Sequence, residues 1–218
     1  MATMTLDQRP VLIRPEGLEG FLGTPPVARG VVIFAHGSGS GRLSPRNNHV
    51  ALGLREAGFA TLLLDLLTPS EEADRANVFD IGLLAKRLLR ATEWVASLGE
   101  PAALPIGYFG ASTGAGAALL AAAAAPDRVR AVVSRGGRPD LAGGAALSRV
   151  RAPTQLIVGS LDVPVIELNR AALARLRCVH ELVIVPGASH LFEEPGTLDL
   201  VIDHARRWFG AHLVEGGQ

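Results

Sequence analysis

Six short, largely apolar runs punctuate the chain: Val31-Val32-Ile33-Phe34, Thr61-Leu62-Leu63-Leu64, Ile106 to Phe109, Ala131-Val132-Val133, Leu156-Ile157-Val158 and Leu182-Val183-Ile184-Val185. None alternates with polar residues, so a strand built from any of them must be covered on both faces. A parallel sheet with helices above and below supplies that cover. Each run also ends at Gly, Ser, Asp, Pro or His, residues that turn a chain or carry chemistry.

Helical periodicity fills the intervals. Ile81, Leu84, Leu88, Thr92 and Val95 fall on one face, with Gly99 placed to stop the helix. Leu198, Val201, Ile202, Ala205, Trp208 and Phe209 form a second stripe, closed by Gly210. Further helices are expected over 48–57, 112–125 and 164–177, with the alanines at 121–125 as filler. Ahead of Val31, Val11-Leu12-Ile13 and Leu18 to Leu22 read as an antiparallel pair at one sheet edge. The alternation predicts an α/β, doubly wound, mostly parallel central sheet of about eight strands flanked by helices. Right-handed crossovers would bring all the parallel strands' C-terminal ends to one rim. At 218 residues the chain is expected to form one domain, 1–218, with core enough to fold without disulfides or metals.

Composition narrows the function. Basic and acidic residues balance at 21 each, which argues against a nucleic-acid coat or a binder of anionic membranes. No apolar run approaches a membrane span, and the start, MATMTLDQRP, has no signal pattern, so a soluble cytoplasmic protein is expected. One cysteine, Cys178, excludes an intramolecular disulfide, and the scattered histidines suggest no metal site.

The chemistry concentrates at Gly110-Ala111-Ser112-Thr113-Gly114, a G-x-S-x-G string between an apolar run and an alanine-rich helix. To lift a serine hydroxyl above a sheet edge, the chain must turn from strand to helix at the serine itself. The residues two before and two after then approach too closely to carry side chains. Neither glycine-rich segment is followed by the Lys-Ser or Lys-Thr of a phosphate loop, and the 37–42 segment lacks the third glycine of a dinucleotide fingerprint.

A serine hydroxyl needs a base, and the base needs an orienting acid. In this elbow type the order is Ser, acid, His. Asp162 follows the Leu156 run and His190 follows the Leu182 run, both at the rim expected for Ser112. Asp162 also suits a helix N-cap, and Asp140 and Asp65 are the rival acids. His49, His204 and His212 fall on helices, and His180 at the wrong end of a strand. His36-Gly37-Ser38 closes the Val31 run. The backbone N–H groups of Ser38 and Thr113 are the expected oxyanion donors.

With these residues in place the chain resembles the α/β-hydrolases, and among them the dienelactone-hydrolase-like group. The likeness rests on HGSGSG from His36, GASTGAG from Gly110, SRGGRPDLA from Ser134, LIVGSLD ending at Asp162 and PGASHLFEEPG from Pro186, and it spans about Val11 to Phe209. The enzymes that gave the group its name carry a cysteine nucleophile. Here the elbow carries Ser112 and Cys178 lies elsewhere. The resemblance therefore implies a cofactor-free serine esterase using Ser112, Asp162 and His190. An acyltransferase with the same residues, or a non-catalytic binding module, is the alternative.

The stretch from Ser134 to Pro153 is too short for a lid domain, which favours a small, soluble ester as the molecular partner. Pocket walls are expected from 42–48, 66–80, 135–141 and 191–195. Arg135 and Arg138, just past a strand end, are candidates for binding an acidic substrate. Oligomeric state leaves no mark in the sequence.

Overall fold

The computed structural model describes residues 8–98 and 104–214. Eight strands form one sheet: β1 (Gln8–Ile13), β2 (Leu18–Gly23), β3 (Val31–Ala35), β4 (Ala60–Leu64), β5 (Ile106–Ala111), β6 (Val129–Arg135), β7 (Thr154–Gly159) and β8 (His180–Val185), in the order β1-β2-β4-β3-β5-β6-β7-β8. β1 pairs antiparallel with β2, and β2 with β4, while the six strands from β4 to β8 in that order run parallel. This is the doubly wound, mostly parallel sheet of eight strands expected from the apolar runs, and it agrees with the α/β-hydrolase fold that the resemblance implies.

Why the runs are unbroken is visible in the packing. Ile33, Leu62, Tyr108 and Val132 face one core layer, against α4 (Ile81–Ser97) and α5 (Thr113–Ala124). Phe34, Leu63, Phe109 and Val133 face the other, against α1 (Pro45–Glu56) and α8 (Thr197–Phe209). Successive side chains on a strand point to opposite faces, so burial on both sides leaves no polar position. The helix α7 (Val163–Leu173) covers the β8 end, where Val158, Val165 and Ile166 pack together.

Three details depart from the sequence expectations. The helix expected from residue 48 starts earlier, at Pro45, because Ser44 caps it and proline suits its first position. The alanines at 121–123 are no filler: they are buried, and their small side chains let α5 lie close against the sheet and α4. The 66–80 segment carries two single-turn helices, α2 (Pro69–Glu72) and α3 (Arg75–Val78). Gly99, the expected stop of α4, lies outside the described residues, and α4 is capped at Leu98. Between β6 and β7 run only a 3-10 turn (Pro139–Ala142) and α6 (Gly144–Leu147), so no lid domain is inserted there. Among the described residues no helix is long and apolar enough to cross a membrane.

Candidate active site

Ser112 stands where β5 becomes α5, with φ 50° and ψ −123°. A residue with a side chain held there carries strain of about 1–3 kcal/mol. Among the described non-glycine residues only Phe192, at φ 56°, shares a positive φ. The flanking glycines permit the turn. A Cβ on Gly110 would lie 2.5 Å from Ala115 Cα, and one on Gly114 would lie 2.1 Å from the Ala35 carbonyl oxygen. Both obstacles are backbone, so Gly114→Ala must push α5 away from β3. We expect a stability loss of about 3 kcal/mol or more, read as a fall in the urea midpoint at unchanged slope.

The main chain at Ser112 is tied down while the side chain is free. Its amide donates to the Arg135 carbonyl at 3.2 Å, and its carbonyl accepts from the amides of Ala115 and Arg138 at 3.1 and 3.0 Å. The hydroxyl occupies the N-cap position of α5 without making a capping bond, and no hydrogen bond joins it to His190.

Asp162 and His190 meet. Each lies just past a parallel strand, β7 and β8, and Asp162 Oδ2 is 2.6 Å from His190 Nδ1. Asp162 does head α7, but its carboxylate gives no capping bond there. The two rival acids are engaged elsewhere: Asp140 with Arg138 at 2.8 Å, and Asp65 with Arg42. With the carboxylate as acceptor, Nδ1 carries the imidazole hydrogen and Nε2 keeps its lone pair. His180 opens β8 at the opposite rim of the sheet. The His190 loop is held by the Ser189 amide donating to Glu194 Oε2 at 3.0 Å and by Arg46 pairing with Glu193 at 3.1 Å. Phe192, 2% exposed, anchors it in the α1/α8 core. Nothing in the sequence marks Phe192 or Glu194 for these roles.

The turn after β3 is fixed by His36. Its Nε2 accepts the Leu66 amide at 3.0 Å, so Nδ1 carries the hydrogen and donates to the Gly37 carbonyl at 2.9 Å. Burial pushes this imidazole below its usual pKa, which keeps it neutral and suited to accept. Gly37 lies directly against Ser112: a Cβ there would be 2.9 Å from Ser112 Cβ. Ser38 and Thr113 are brought together. The Ser38 amide, however, is engaged, donating to Thr113 Oγ1 at 3.0 Å.

A cavity of about 700 Å³ opens over this rim, reached by Ser38, Ser112 and His190. Its walls come from 36–46, from Leu67, Glu72 and Val78 of the 66–80 segment, and from Leu191. Leu84 of α4 also contributes, which its place in a helical stripe did not suggest. Of the 135–141 segment only Arg135 reaches the cavity.

The two candidate arginines differ sharply. Arg138 forks onto Asp140, with Nε at 2.9 Å and Nη2 at 2.8 Å, and does not line the cavity. Arg135 lines it, is 7% exposed, and pairs with no carboxylate among the described residues. Its Nη2 reaches only Asn47 Oδ1 at 3.5 Å, and Nε and Nη1 are buried without an acceptor. Burial, reinforced by the neighbouring Arg46 charge, pushes its pKa down to about 10. Among the described residues no group of three or more His, Cys, Asp or Glu could hold a metal ion.

No protein-family model matches the chain. A solved structure of dienelactone hydrolase from Anabaena variabilis is 54% identical, with a TM-score of 0.91, and the match covers 95% of this chain and 98% of that one. Est1E from Butyrivibrio proteoclasticus shares the fold at 17% identity and a TM-score of 0.79, over 92% and 97% of the two chains. Proteins from two strains of Mycobacterium tuberculosis are 59% identical over 207 residues, 95% of this chain but 46% of theirs. They bear the provisional name phosphoribosyl transferase, and this chain spans about half their length.

Proposed function

We propose, since this chain belongs to the dienelactone-hydrolase-like group of α/β-hydrolases, that it hydrolyses carboxylic esters of small soluble substrates through Ser112, His190 and Asp162. The observation that carries the reading is the 2.6 Å contact of Asp162 with His190 at the cavity into which Ser112 opens. Ser112 Oγ attacks the ester carbonyl while His190 Nε2 takes its proton, and Asp162 holds the imidazole in the required tautomer. The resulting oxyanion is stabilised where the Ser38 and Thr113 segments converge. Collapse breaks the bond to the alcohol oxygen, which leaves with the proton from His190. Water, deprotonated by His190, then attacks the acyl-enzyme, and the acid leaves as Ser112 regains its proton. The elbow holds serine, so the nucleophile differs from the cysteine that the resemblance associates with dienelactone itself.

A fluorophosphonate probe tests the reading. It should label the wild type and fail to label Ser112→Ala; an unlabelled wild type that also leaves short-chain esters intact would overturn it.

Arg135 supports an anionic group on the substrate. An unpaired buried charge costs several kcal/mol, which an incoming carboxylate would offset. Arg135→Met should therefore lower kcat/KM for a carboxylate-bearing ester about 10- to 100-fold relative to its neutral analogue, while the melting temperature holds or rises. Equal losses on both esters would place the arginine's action on the reaction itself and not on the substrate's charge.

A further inference from the structure

The two amides expected to meet the oxyanion are not equivalent. Ser38 has a single amide hydrogen, and it points at Thr113 Oγ1, 3.0 Å away. The peptide that carries it is held from both ends, because His36 Nδ1 binds the Gly37 carbonyl on the opposite edge. In a trans peptide the C=O and N–H point in opposite directions, so these two bonds together resist rotation of the plane. The Thr113 amide is different: at the first position of α5 it has no helical acceptor and remains available.

The hydroxyl of Thr113 has a proton to give. Three other buried threonines return theirs to a backbone carbonyl, Thr92 to Leu88 at 2.9 Å, Thr154 to Ala152 at 2.9 Å and Thr197 to Glu194 at 2.7 Å. Thr61, far from the cavity, instead accepts from Arg55 Nη1 at 2.9 Å. Thr113 is 7% exposed and accepts one bond, yet donates none among the described residues. It sits beside the nucleophile, with an unspent proton and an oxygen already polarised by an N–H. A hydroxyl that accepts a hydrogen bond becomes a stronger donor.

We propose that the Thr113 side chain is itself an oxyanion donor, taking the Ser38 N–H on one side and giving its own hydrogen to the developing ester oxyanion on the other. Thr113 then supplies two donors, amide and hydroxyl, and the pull of Ser38 reaches the oxyanion through the hydroxyl. The assignment rests on the Ser112 esterase reading. It differs from a resting plug, in which the hydroxyl merely occupies the Ser38 amide and must swing away for reaction.

Kinetics on p-nitrophenyl acetate separate these. Thr113→Val, which keeps the shape and removes the hydroxyl, and Thr113→Ala should each lower kcat about 10²-fold, with KM changed by no more than about twofold. Thr113→Ser should restore most of the loss, and fluorophosphonate labelling should still reach Ser112 in every variant. Should Thr113→Val fail to fold by circular dichroism, the Ala and Ser variants give the same comparison. A kcat at or above wild type in the hydroxyl-free variants, or a loss confined to KM, overturns the donor assignment alone. A wild type that neither cleaves ester nor takes the probe overturns the esterase reading and this assignment with it.

Discussion

Ser112→Ala is expected to lower kcat for a short-chain ester by on the order of 10⁴-fold or more. The magnitude follows from what the elbow does. Ser112 Oγ is the one side-chain oxygen that the strained φ of 50° lifts to the cavity, and its main chain is already fixed through Arg135, Ala115 and Arg138. Alanine retains those backbone bonds and occupies the same strained region, so the fold should persist with an unchanged circular dichroism spectrum. Only the proposed attacking atom is lost. The residual rate would report binding and oxyanion stabilisation alone, and a residual rate within tenfold of wild type would show that another group attacks.

Asp162→Asn separates orientation from stability. An asparagine presents either an oxygen or an NH₂ group to His190 Nδ1. In the second arrangement the imidazole carries its hydrogen on Nε2, where it can no longer accept the serine proton. A loss of about 10³- to 10⁴-fold in kcat is expected. Asparagine caps helices as well as aspartate does, and the Asp162 carboxylate makes no capping bond to α7, so the melting temperature should stay close to wild type. Activity close to wild type in this variant would mean that the 2.6 Å contact is structural only.

Much of the candidate site was legible because the fold turns sequence position into place. A residue just past a parallel strand's C-terminal end lies at the rim where the cavity opens, which is why Ser112, Asp162 and His190 could be named as candidates without coordinates. The same rule set His180 aside, and that residue does begin a strand, at the opposite rim of the sheet. It could not rank Arg135 against Arg138. Both follow β6, but only three-dimensional contacts reveal that Asp140 neutralises one and that the other is buried with no acid nearby. Nor could it foresee that His36 would peg the β3 turn to Leu66, a bond between segments thirty residues apart in sequence, or that Phe192 would accept a left-handed backbone to anchor the histidine loop.

Local order of residues was enough to specify the doubly covered sheet, the strand-to-helix elbow and the chain order of serine, acid and histidine. Those depend on apolar periodicity and on glycine's missing side chain, which act over a few residues. Which carboxylate finds the imidazole, which cation stays unpaired and whose hydroxyl receives the Ser38 amide depend on distances between segments far apart in the chain. Such distances exist only after the layers have packed.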